Sequence, residues 1–82
     1  MNVRFTPSAK KQFLAGLAYI RQDNPQAAQR LYKLAQQRLS RLKKFPNSGR
    51  RIPEFPEAPY RELILPPYRF FYQVRDKVVW II

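Results

Sequence analysis

The sequence has 82 residues, with 16 Lys and Arg against 5 Asp and Glu, and it contains neither Cys nor His. This length allows one small domain, residues 1–82, and the missing residue types exclude disulfides, thiolate metal sites and imidazole bases. A hydrophobic content of 45% argues against a disordered basic tail. No apolar run approaches the roughly 18 residues of a transmembrane helix, and the N-terminal residues show no apolar h-region of the kind found in signal peptides. We therefore expect a cytoplasmic protein without a cofactor, a metal or a small-molecule ligand.

The net charge of +11 is concentrated in one part of the chain. Residues 1–51 carry twelve basic side chains and one acid, whereas residues 52–82 carry four of each. A positive field of this size attracts a polyanion such as nucleic acid, an acidic protein or an anionic membrane. The alternative is a solvated surface that only keeps the protein soluble.

The first half of the chain predicts one strand and two helices. Val3 and Phe5 alternate with polar residues, as in a short strand, and Thr6 before Pro7 is typical of a helix start. A helix to about Gln22 follows, and Asn24 before Pro25 repeats the start signal. Both helices carry apolar stripes of helical spacing, formed by Ala9, Phe13, Leu17 and Ile20 and by Ala28, Leu31, Ala35, Leu39, Leu42 and Phe45. The short connection predicts an antiparallel αα-hairpin.

The second half changes from helical to strand periodicity. The residues from Arg50 to Pro59 are expected to be irregular, because Pro53, Pro56 and Pro59 exclude a central strand. Strands are predicted at 60–65, 68–75 and 78–82, and their short connections indicate an antiparallel meander. The expected fold is α+β, in the order β-αα-βββ, with the αα-hairpin packed on one face of the sheet.

Two arginines stand at interior strand positions, Arg61 and Arg69, and whether they share a face depends on the strand register. Arginine beside aromatic residues is used to bind single-stranded RNA. The alternative is that Arg61 pairs with Glu62 or Glu54 and is structural. The aromatic stripe of Tyr68, Phe70 and Tyr72 is expected to be core, and a carboxylate active site is disfavoured because Glu54 and Glu57 lie in the Pro-rich loop.

The order and spacing of several short segments closely resemble the RelE/ParE toxin superfamily of bacterial type II toxin–antitoxin modules. These segments are PNSGRR at 46–51, YREL at 60–63, YRFFYQV at 68–74 and DKVVWI at 76–81. The resemblance covers essentially the whole chain. It implies the β-αα-βββ fold and a cognate antitoxin that wraps the toxin and neutralises it. The net charge of +11 predicts that this antitoxin is acidic, and no membrane partner is expected.

The resemblance leaves two activities open. ParE-like members poison DNA gyrase, whereas RelE-like members cleave mRNA on the ribosome with basic residues of the sheet. A RelE-like activity would assign catalysis to Arg61, Arg69 and Tyr72. However, Leu63 replaces a second basic residue of that pattern, the sequence ends at Ile82 before the family's basic tail, and arginine is a poor base. We therefore expect the gyrase activity, with mRNA cleavage and a simple basic nucleic-acid-binding module as alternatives. Target or nucleic-acid contacts are expected from Lys43, Lys44, Arg50 and Arg51.

Overall fold

The computed structural model describes all 82 residues and contains two helices and five strands. In chain order these are β1 (Asn2–Phe5), α1 (Pro7–Asp23), α2 (Pro25–Ser40), β2 (Arg50–Arg51), β3 (Arg61–Leu65), β4 (Tyr68–Arg75) and β5 (Val78–Ile81). A short 3₁₀ turn, Arg41–Lys43, extends α2. The predicted α+β class and the β-αα-βββ order are confirmed.

Side-chain caps explain where both helices begin. The Thr6 hydroxyl accepts a hydrogen bond from the Ala9 N–H at 3.2 Å, and the Asn24 carboxamide accepts one from the Ala27 N–H at 3.0 Å. A proline follows each cap, at a position whose N–H would have no helical partner. No helix of this protein is long and apolar enough to span a bilayer.

The five strands form one mixed sheet in the order β1-β5-β4-β3-β2. The antiparallel meander of β3, β4 and β5 agrees with the sequence prediction. Two features were not predicted. β1 pairs with β5 in parallel, and β2 forms a two-residue antiparallel pair with β3 at the sheet edge, where an irregular segment was expected. An edge position is compatible with the nearby prolines, because only one side of the strand is paired.

The turn between β4 and β5 has an unusual backbone for its residues. Asp76 and Lys77 both have positive φ, 53° and 61°. Two consecutive left-handed residues give the hairpin turn whose twist matches that of the flanking strands. The β3–β4 turn contains a cis peptide bond between Pro66 and Pro67.

The core lies between the αα-hairpin and the sheet. The predicted helical stripes are buried there, except that Ile20 is only half-buried, and Phe45 is 57% exposed, so its assignment to the core stripe was wrong. Phe13 contacts Phe70 edge-to-face, with ring centroids 5.3 Å apart, and Tyr68 edge-to-face at 5.9 Å. This confirms that Tyr68 and Phe70 belong to the packing rather than to an exposed stacking surface.

Candidate functional site

Arg61 and Arg69 lie on opposite faces of the sheet. In the β3–β4 register Arg61 stands opposite Tyr72, and Arg69 stands opposite Ile64. Directly opposed residues share a face, and neighbouring residues alternate between faces. Arg61 and Tyr72 are therefore on the side of the αα-hairpin, and Arg69 is on the other side. The three residues expected of a nuclease do not converge.

The face opposite the αα-hairpin holds a buried carboxylate. The side chain of Glu62 has no solvent exposure and forms ion pairs with Arg50 on β2 and Arg69 on β4. The Arg69 Nε lies 2.9 Å from Glu62 Oε2, and its guanidinium stands over the ring of Phe71 at 5.1 Å. Glu54, from the Pro-rich loop, reaches the same guanidinium at 3.5 Å. Arg50 and Arg69 are thus already neutralised within the molecule.

Charge and hydrogen bonding stabilise the ionised form of Glu62. Burial alone would raise the pKa of the carboxyl, but hydrogen bonds from Arg69 and Arg50, and their charges, outweigh it and hold the pKa below 4.5. Glu62 in turn raises the pKa of Arg69 above its ordinary value, mainly by accepting its hydrogen bonds. Both groups therefore remain charged at neutral pH.

The hydroxyl of Tyr72 holds the turn that leads into β2. It donates a hydrogen bond to the Pro46 carbonyl at 2.8 Å and accepts one from the Gly49 N–H at 2.9 Å. The residue is completely buried. Burial raises the pKa of this phenol, and the Gly49 N–H and the charge of Arg61 offset only part of that effect. A Cβ at Gly49 would lie 2.5 Å from the hydroxyl, so only glycine fits without a shift.

Arg61 also contacts this turn. Its Nη1 donates to the Gly49 carbonyl at 2.9 Å. The expected alternative, an ion pair of Arg61 with Glu62 or Glu54, is wrong, because the register turns Glu62 to the opposite face, where Arg50 and Arg69 bind it.

The four basic residues expected to contact a target do not form one patch. Lys43 lies near the start of β1, because the amine of Met1, just before β1, donates to the Lys43 carbonyl at 3.2 Å. Lys44 follows Lys43 in the chain. Arg50 and Arg51 form β2, at the far edge of the sheet. Four strand spacings separate the two edges, or about 19 Å. Arg50 is paired with Glu62, whereas Arg51 only reaches the Pro56 carbonyl, at 3.4 Å.

A groove of about 680 Å³ opens between β1, α1 and α2. Its walls are mainly apolar and include Phe5, Phe13 and Leu39, and three cations stand around it, Arg4, Lys10 and Lys43. No acidic residue lines it. β1 is an edge strand, so one side of its backbone has no partner within the sheet. This surface fits an amphipathic segment with acidic side chains.

Glu62 and Gly49 organise this region, and neither role was predicted from the sequence. From the sequence, Glu62 was considered as a possible ion-pair partner of Arg61. In the structure, Arg50 lies directly opposite Glu62 on β2, and Arg69 reaches it from β4. Both arginines bind the Glu62 carboxylate, which is buried. The presence of Arg50 and Arg69 on neighbouring segments could have indicated an ion-pair cluster around Glu62, but that inference required the strand register.

Comparison with known proteins identifies the family of this sequence. No individual curated protein matches the chain significantly. Residues 3–82 match the family described as the ParE toxin of the type II toxin–antitoxin system, parDE. That match covers every element of the fold except Asn2, the first residue of β1. The chain therefore belongs to the ParE toxin family and is the toxin of a type II toxin–antitoxin module, with a cognate antitoxin as its partner.

Proposed function

We propose that this toxin inhibits DNA gyrase by binding to it, without cleaving a substrate. The observation that carries the proposal is that Arg69 and Tyr72 are already engaged within the molecule. The guanidinium of Arg69 is bound to Glu62, and the hydroxyl of Tyr72 is held between Pro46 and Gly49. Both groups would have to leave these contacts to act on RNA.

The chemistry of RNA cleavage supports the same choice. Attack by a 2′-hydroxyl needs a group that moves a proton and cations that stabilise the charged phosphate, all around one reacting atom. Tyr72 is buried with a raised pKa, and Arg61 and Arg69 stand on opposite faces. Arginine is not deprotonated in proteins and does not replace the missing base.

The antitoxin is proposed to be acidic and to occupy the groove between β1, α1 and α2. The apolar walls supply area for an amphipathic segment, and Arg4, Lys10 and Lys43 supply complementary charge. Such a partner would also offset the net charge of +11. Electrostatic complementarity acts mainly on the association rate, so association is expected to slow as salt is added. An association rate independent of ionic strength would contradict this charge-steered mode.

Two assays with the purified protein test the target. In the first, toxin is added to gyrase and relaxed plasmid, and inhibition of supercoiling is expected. In the second, toxin is added to ribosomes translating a defined mRNA, and intact mRNA is expected. Adding the antitoxin should restore supercoiling. If the toxin cleaves the mRNA, and a folded Arg69→Ala variant does not, the result would contradict the gyrase proposal and support the nuclease alternative.

Expression in growing cells separates the toxin from a simple nucleic-acid-binding module. Induction of the toxin alone is expected to arrest growth, and co-expression of the antitoxin is expected to restore it. Growth without arrest, at normal protein levels, would contradict both toxin activities.

A further inference from the structure

Two arginines face each other across the β2–β3 pair without a carboxylate between them. Arg51 stands directly opposite Arg61, so both side chains point to the same face. None of the protein's ion pairs includes either residue, since these pairs join Arg50 and Arg69 to glutamates on the opposite face. Like charges at directly opposed positions destabilise a sheet. A bound anion would remove that repulsion.

A small polar cavity adjoins this pair. It has a volume of about 230 Å³, and its lining includes both arginines together with Asn47, Tyr60 and Gln73. No acidic residue lines it. Its volume is below the roughly 300–1,000 Å³ of sites for drug-sized ligands, so it suits one small charged group rather than a whole nucleotide.

The known contacts of the two guanidinium groups leave donors available. Arg61 uses Nη1 to hold the Gly49 carbonyl, and Arg51 reaches the Pro56 carbonyl at 3.4 Å. Each guanidinium has five N–H donors, arranged in a fork that matches two oxygens of a phosphate. The bond to Gly49 also orients Arg61 before any ligand arrives, which lowers the entropy lost on binding.

We propose that Arg51 and Arg61 form a docking site for one phosphate group of a nucleic-acid backbone. The cavity admits the phosphate, while the sugar and base remain outside, near the ring of Tyr60. The site binds and does not cleave. It does not depend on whether gyrase or the ribosome is the target, because it is a property of the isolated toxin.

The test measures binding of the purified protein to a fluorescent single-stranded DNA dodecamer by anisotropy, over a range of salt concentrations. Arg51→Gln is the main variant, because Arg51 is exposed and its side chain forms only one long hydrogen bond, to the Pro56 carbonyl. Arg30→Gln is the matched control, because it removes the same charge from an exposed position of α2. Arg61→Gln is added if its thermal unfolding shows that it folds.

Arg51→Gln is expected to weaken the dodecamer about tenfold, the loss of one charge-assisted hydrogen bond. It should also reduce the slope of log affinity against log salt by about 0.7, the value for one phosphate of a single strand. Arg30→Gln should change the affinity much less. A methylphosphonate dodecamer, which lacks the backbone charge, should not respond to Arg51→Gln.

Equal losses in Arg51→Gln and Arg30→Gln would overturn the proposal, because the binding would then follow net charge alone. Competition by adenosine monophosphate at the same concentration as the dodecamer would also overturn it, in favour of a site for a free nucleotide. Neither result would bear on gyrase inhibition, which is measured separately by supercoiling.

Discussion

The substitution Tyr72→Phe separates a structural hydroxyl from a reactive one. It removes one oxygen atom from a residue that is completely buried and keeps the aromatic ring that packs in the core. The lost oxygen is both the acceptor for the Gly49 N–H and a donor to the Pro46 carbonyl. The change therefore acts on the turn that starts β2, with little effect on apolar burial.

The expected cost follows from these two hydrogen bonds. Gly49 is buried, so its N–H would lose its acceptor without access to water, which costs about 1–3 kcal/mol. Pro46 is half-buried, so water can replace part of the second bond, and its loss costs about 0.5–1.5 kcal/mol. Together they cost about 1.5–4.5 kcal/mol in the free energy of unfolding, which corresponds to a fall in Tm of roughly 6–36 °C for a domain of this size.

Thermal and urea unfolding measure the stability, and gyrase supercoiling at a temperature where the variant is folded measures the function. Tyr72→Phe is expected to be less stable but still inhibitory. Tyr19→Phe is the control, because Tyr19 is 72% exposed, and its stability should change by less than about 0.5 kcal/mol. An unchanged Tm together with lost activity would refute the structural role and favour a reactive hydroxyl.

Three further changes test other parts of the structure. Gly49→Ala places a Cβ 2.5 Å from the Tyr72 hydroxyl and 2.8 Å from the Glu62 carbonyl. It should destabilise the protein by about 1–3 kcal/mol in thermal unfolding, and an unchanged Tm would show that the turn can shift at little cost. The pKa of Glu62 is lower in the folded state, so the free energy of unfolding should be steady at neutral pH and fall as the pH drops below about 4.5. Urea titrations should show a smaller fall in Glu62→Gln, and identical pH profiles for the two proteins would contradict the lowered pKa. Lys77→Gly relieves a left-handed residue in the β4–β5 turn and should raise the stability by about 0.5–1 kcal/mol, whereas a lower urea midpoint would argue against strain at that position.

The sequence was sufficient for the elements whose causes are local. Thr6 and Asn24 are N-cap residues that predict where the two helices begin, and the apolar stripes that contain Phe13 and Leu31 identify the buried helix faces. The parallel pairing of β1 with β5 was not predictable in this way, because it joins the two ends of the chain. β2 was not predictable either, because a strand of two residues is too short to show an alternating pattern in the sequence.

The site depended on information that is not local. Arg61 and Arg69 are eight positions apart, and the length of the β3–β4 turn decides which face each one occupies. A register shifted by one residue would have placed both arginines on the same face. The β2–β3 and β3–β4 registers together bury Glu62 between two cations, and the β2–β3 register leaves Arg51 and Arg61 together without an acid. Charge counting located the positive excess but did not identify which arginines are neutralised.

Titration of the purified toxin against a fixed concentration of gyrase, above the dissociation constant of the complex, tests inhibition by binding most directly. Supercoiling should fall in proportion to the toxin added and reach its minimum when toxin and its binding sites on gyrase are equal in number. Unchanged supercoiling at a large excess of toxin, while a trace of the same protein cleaves mRNA on translating ribosomes, would contradict the proposed function.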